Sequence, residues 1–172
     1  MADPSGPTGI GVPCHVVVAD EQTDVVVETE RWGELAAAVL RAEGRVGELT
    51  LTFVDRGEIA ALNAEHMGRA EPTDVLSFPL DAGEAVVPAG PVLLGDVVIC
   101  PAVAADAAPN HAGSVDDELA LLTVHGVLHV LGHDHADPDE RAEMRARELR
   151  HLVDLHWRGP APEGFRHEPG ES

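Results

Sequence analysis

Apolar positions along the chain repeat with two different periods. Over Glu48–Val54 they alternate, with Leu49, Leu51 and Phe53 set against Thr50 and Thr52, and this period of two predicts a half-buried strand. His15–Ala19 is a short β-branched run, and Val75–Leu80 and Val92–Cys100 are apolar runs bounded by Pro or Gly; all three are read as strands. Elsewhere the spacing is helical. An Ala-rich stretch over Glu30–Ala42 is closed by Gly44, and Asp55 with Glu58 three residues on forms a capping signal for a helix reaching about Met67. Pro101 starts a helix through Ala108, after which Pro109 and Gly113 break the pattern. From Ser114, with Asp117 three residues on, a helix runs to Leu131; it is apolar on most sides and is expected to be central and buried. Asp137, Pro138 and Glu140 start a last helix, whose arginines at 141, 145, 147 and 150 suit the negative end of its macrodipole.

This order of elements predicts an α+β fold: a single compact domain over residues 15–155, with a small mixed β-sheet packed against helices and a central buried helix. Residues 1–14 and 156–172 are rich in Pro and Gly and are expected to be flexible tails without chemistry. A length of 172 residues with 44% hydrophobic content fits one domain. No apolar run approaches the ~20 residues that cross a bilayer, and the start lacks the charged-then-apolar order of a signal peptide, so a cytoplasmic protein without a membrane partner is expected. Cys14 and Cys100 make no C-x-x-C pair, and Cys100 is expected as a small buried residue.

Charge changes the picture. Thirty-one acidic residues against 11 basic ones give −20, the opposite of a typical nucleic-acid binder. All 11 are Arg, and the chain has neither Lys nor Tyr, which excludes a lysine nucleophile and a tyrosine acid. Cationic help must come from Arg, His or a metal.

The chemistry concentrates in the string His125-Gly-Val-Leu-His129-Val-Leu-Gly132-His133-Asp134-His135. Four residues advance a helix by roughly 400° and ~6 Å, so His125 and His129 project from one face a turn apart. Gly132 can leave the helix through the left-handed region and bring His135 back toward the same ion. Three imidazoles leave one tetrahedral position open, as a catalytic zinc requires. The spacing therefore predicts one zinc on His125, His129 and His135, although imidazole suits other divalent transition metals too. His133 also lies four residues after His129, but Gly132 is expected to have ended the helical register before it.

The spacing H-x-x-x-H-x-x-G-x-x-H is that of metzincin proteases, which follow their first His with a general-base Glu; here that residue is Gly126. Together with Pro72-Thr-Asp-Val-Leu-Ser-Phe-Pro79 and Gly95-Asp-Val-Val-Ile-Cys100, the histidine string resembles the YbeY family of bacterial rRNA maturation factors, over about residues 15–155. The resemblance implies a compact α+β fold, a zinc on three histidines matching His125, His129 and His135, and a single-strand-specific endoribonuclease acting in ribosome maturation at the 3′ end of small-subunit rRNA. The implied partners are rRNA or a small-subunit precursor, with ribosomal proteins as further candidates, and not DNA. Met67 stands where the family usually carries an Arg, with Arg69 two residues on as a substitute or as an ordinary surface residue. Asp74, Ser77 and Asp96 lie near strand ends; Asp74 is expected to fix a turn and Asp96 a bend, with a site-facing role as the alternative for each. No general base is assigned. Two competing functions stay open: a non-catalytic ribosome-assembly factor with a structural metal, and a zinc metalloprotease.

Overall fold

In the computed structural model, which describes residues 14–80, 92–133 and 136–167, four strands form one sheet: β1 (His15–Asp20), β2 (Glu48–Phe53), β3 (Val75–Pro79) and β4 (Leu93–Ile99). Their spatial order is β1-β2-β4-β3. β1 and β4 run parallel to β2, and β3 pairs antiparallel with β4, so the sheet is mixed as the sequence predicts. The alternation in β2 is realised: Leu49, Leu51 and Phe53 are fully buried while the residues between them are half-exposed.

Five helices accompany these strands among the described residues: α1 (Thr29–Ala42), α2 (Arg56–Met67), α3 (Pro101–Ala107), α4 (Val115–Val130) and α5 (Pro138–His151). α1 buries Trp32, Leu35, Ala36, Val39 and Leu40, a helical stripe that packs with α4 into the main core over Leu49, Leu51 and Phe53. α2 and α3 contribute Ile59 and Ala102 to a second cluster with Leu76 and Val98. The predicted starts are built as caps. The Asp55 carboxylate accepts from the Glu58 N–H, Ser114 accepts from the Asp117 N–H, and Asp137 with Glu140 forms a reciprocal capping box. No helix among the described residues is long and apolar enough to cross a membrane.

The C-terminal reading needs correction. α5 runs on into a π-helical turn, Leu152–Trp157, which ends at Arg158 in the left-handed region (φ 56°). Asp117 Oδ1 accepts from both His156 Nε2 and Trp157 Nε1 at 2.8 Å, and Trp157 packs edge-on against Phe165 with ring centroids 4.9 Å apart. The Arg166 N–H then donates to the His111 carbonyl at 2.8 Å. Residues 156–167, expected as part of a tail, lie against the domain because their aromatic rings and imidazoles find apolar and acidic partners there.

α4 is the element on which the site is built, and it sits unusually close to the sheet. A Cβ at Gly126 would stand 2.5 Å from Val97 Cγ1 of β4, and the Ser77 hydroxyl of β3 donates to the Gly126 carbonyl at 3.3 Å. Close approach is therefore what requires glycine here, and it explains why the glutamate of the protease motif has no place at this position. Gly126→Ala is expected to destabilise the protein by about 1–3 kcal/mol in chemical denaturation. Val97→Ala in the same chain should recover part of that loss through a favourable interaction in a double-mutant cycle; strict additivity of the two would contradict the contact.

Candidate functional site

α4 carries His125 and His129 side by side, their ring centroids 5.9 Å apart and their planes at 89°. The helix then ends as its sequence predicts. Gly132 takes φ +105°, its N–H bonds the His129 carbonyl, and the His133 N–H bonds the Leu128 carbonyl, both at 3.0 Å. These are the two bonds of a Schellman closure, which reverses the chain directly after the second histidine. His133 is thereby removed from the helical register: its Nε2 lies 3.5 Å from Glu43 Oε1, in a cluster where Glu43 also pairs with Arg147 and His151. His135, the third expected ligand, and its neighbour Asp134 lie outside the described residues. Among the described residues no group of three His, Cys, Asp or Glu side chains is assembled that could hold a metal.

Beside His125 opens a cavity of about 320 Å³. α5 supplies one wall through Arg141, Met144, Arg145 and Glu148, which recur at helical spacing on a single face. Glu148 is almost fully buried and holds two imidazoles at once. Its Oε2 accepts from His125 Nδ1 at 2.5 Å and its Oε1 accepts from His167 Nε2 at 2.6 Å. Burial alone would raise its carboxyl, but the bonds from His125 and His167 outweigh that effect and bring it down to about 2.

Opposite, the fully buried Glu118 accepts from His111 Nδ1 at 2.8 Å, and His111 Nε2 reaches the His167 carbonyl at 2.8 Å. A carboxylate and a carbonyl both require a donor, so His111 makes both bonds only as the imidazolium. Its pKa is raised chiefly by the Glu118 hydrogen bond, against the opposing effect of burial. Asp74, half-buried at the start of β3, lines the same cavity, and its carboxyl is raised mainly by burial and then by the Glu118 charge.

The other sequence candidates separate cleanly. Asp74 lines the cavity while its carboxyl also bonds the local backbone at Asp74 and Val75. Asp96 accepts from Thr50 Oγ1 across β2 and β4, and Ser77 ties β3 to α4. The C-terminal arginines divide: Arg141 and Arg145 line the cavity, whereas Arg147 is drawn to Glu43. Arg69 and the 51% exposed Met67 are not among the residues that line it. Glu118, Glu148, His111 and His167 were not singled out by the sequence. Signals existed: Glu118 lies seven residues before His125 on one helix face, and two of the chain's five aromatic residues, Trp157 and Phe165, flank the approach to His167.

With this geometry in view, similarity to known proteins decides the family. The sequence profile of Endoribonuclease YbeY matches residues 17–156. The chain belongs to the YbeY endoribonuclease family. Its YbeY relatives include Endoribonuclease YbeY of Salinispora tropica, 45% identical over 148 residues, spanning 81% of this chain and 90% of that one. Endoribonuclease YbeY of Mycobacterium tuberculosis is 44% identical over 126 residues, 70% of each chain. The solution structure of TM1509 from Thermotoga maritima shares the fold, with a TM-score of 0.60 at 24% identity over 91% of this chain and 99% of that one.

The cavity makes a pH-dependent prediction for this YbeY chain. Because the folded pKa of Asp74 is raised, its contribution to stability is complete below the ordinary aspartate value and is lost as pH rises through the folded value. Asp74→Asn removes that loss. In thermal melts of metal-free protein, the variant's Tm relative to the parent should climb as the pH is raised above about 4. A difference that stays constant with pH would contradict the electrostatic assignment.

Proposed function

We propose that this YbeY-family chain is a zinc-dependent, single-strand-specific endoribonuclease of the cytoplasm that matures the 3′ end of 16S rRNA within a small-subunit precursor, its ion held by His125, His129 and His135. The observation that carries this reading is the bond from His125 Nδ1 to the buried Glu148, beside His129, at the edge of a cavity walled by arginines. An imidazole that donates from Nδ1 presents its lone pair at Nε2, and a carboxylate behind a histidine is the usual support of a metal ligand. These residues therefore fit a zinc ion. When bound, zinc supplies a Lewis acid for the phosphoryl group.

The chain's own groups do the remaining work. Glu148 fixes the tautomer and ring orientation of His125, and His167 steadies Glu148 from the other side. Asp74, raised by burial, is suited to hold a proton at the cavity wall beside the substrate. Gly126 leaves no room for the general base of the protease motif, which weighs against peptide hydrolysis.

Two measurements test this. Glu148→Gln should weaken zinc binding by about 10–100-fold in a chelator competition while the chain stays folded; unchanged affinity would remove Glu148 from the site. Zinc-loaded protein should cleave single-stranded rRNA, and His129→Ala should lose that activity by at least ~100-fold. Equal cleavage by both would eliminate the zinc nuclease. Zinc binding without RNA cleavage would favour the assembly factor with a structural metal, and chelator-sensitive cleavage of an unfolded polypeptide would favour the protease.

A further inference from the structure

A circuit of hydrogen bonds starts and ends on α4. Glu118, fully buried on that helix, accepts from His111 Nδ1 at 2.8 Å, and His111 Nε2 donates to the His167 carbonyl at 2.8 Å. The His167 ring serves a different partner. Its Nε2 donates to Glu148 Oε1 at 2.6 Å, and Glu148 Oε2 accepts from His125 Nδ1, two turns along α4 from Glu118. Two positions of one helix are thereby joined through His111, the C-terminal segment and α5.

The C-terminal segment is held by contacts that do not involve Glu148. Trp157 and Phe165 meet edge-on with ring centroids 4.9 Å apart, and the Arg166 N–H donates to the His111 carbonyl at 2.8 Å. The backbone comes so near the loop before α4 that a Cβ on Gly113 would stand 3.2 Å from the Gly164 carbonyl oxygen. The Phe165 ring also flanks the His167 ring at 5.7 Å. His167 is thus fixed at its carbonyl, its flank and its Nε2, and it lines the same cavity as His125 although it lies beyond the family-matched residues 17–156.

Glu148 is only 4% exposed, so each of its oxygens depends on the donors the fold supplies. Without His167, Oε1 of a buried carboxylate loses its donor, and the carboxylate turns toward whatever donor or water it can reach. His125 then loses the acceptor that sets its tautomer and ring orientation. A docked segment therefore favours the His125 that presents Nε2. By linkage, an ion bound at Nε2 must favour the docked segment by the same factor.

We propose that docking of residues 158–167 and binding of zinc are one coupled equilibrium, with His167 as the positioning residue that joins them through Glu148. This deepens the zinc reading of His125 and rests on it.

The test is chelator-competition measurement of zinc Kd on the full chain, paired with hydrogen exchange of the Arg166 amide followed by NMR. His167→Ala should raise the zinc Kd by about 3–10-fold, less than loss of Glu148 itself. His167→Gln, whose amide nitrogen can take the place of Nε2, should restore the Kd to within about twofold of the parent. In a Glu148→Ala background, His167→Ala should have no further effect on the Kd, because the residue through which it acts is gone. Saturating zinc should slow Arg166 exchange by about the same 3–10-fold in the parent and by less than about twofold in His167→Ala. Melting temperature of the metal-free variants verifies that each is folded, and the exchange measurement on the parent stands if Glu148→Ala is not. A zinc Kd that ignores His167→Ala, additive effects at 148 and 167, failure of Gln to rescue, or Arg166 exchange indifferent to zinc overturns the coupling while the metal site stands. A parent that binds no zinc, or binds it equally well after His129→Ala, brings down the zinc reading and the coupling with it.

Discussion

The distance between α4 and the sheet is the constraint from which the rest follows. With no side chain at Gly126, the helix rests directly on Val97 of β4 and is pinned by Ser77 of β3. A residue one step along a helix points about 100° away, and one four steps along returns to nearly the same direction. Once Gly126 faces the sheet, His125 and His129 must leave the helix together on an adjoining face, and α5 meets His125 there through Glu148. The site is thus a consequence of packing: a bulkier residue at 126 would move His125 away from Glu148 and carry His129 with it.

Electrostatics completes what packing begins. The chain has no lysine, and several of its half-buried and buried acids are matched with imidazole: Glu118 with His111, Glu148 with His125 and His167, Glu43 with His133 and His151, Asp117 with His156. Histidine has the right size for these contacts and donates from either nitrogen, but its charge can be lost near neutral pH, where that of lysine cannot. The pairs made by Glu118 and Glu148 tie α4, α5 and the C-terminal segment together beside the cavity. They also hold these carboxylates on imidazoles beside a cavity that Arg141 and Arg145 line.

Much of this was legible in the residues. The alternation in β2, the caps at Asp55, Ser114 and Asp137 and the left-handed exit at Gly132 are local signals, set by neighbours a few positions apart, and each has its counterpart in the fold. The spacing of His125 and His129 belongs to the same class. Glu148 and His111 escaped because their roles depend on partners 23 and 7 residues away on other elements, which periodicity does not report. The C-terminal segment was misread for a related reason: Gly and Pro over residues 159–164 gave it the composition of a tail, while Trp157 and Phe165 on either side supply the packing that anchors it. That Asp74 also lines the cavity was not legible, because burial there is a tertiary property.

The central claim is that three imidazoles meet around one ion, two from successive turns of α4 and one from beyond the reversal at Gly132. Diffraction data collected on either side of the zinc absorption edge, from crystals soaked in zinc, measure this directly. The account predicts a single strong anomalous peak at full occupancy within about 2.0–2.1 Å of a nitrogen of His125, His129 and His135. No anomalous peak at this position, or one with His135 directed elsewhere, would contradict it.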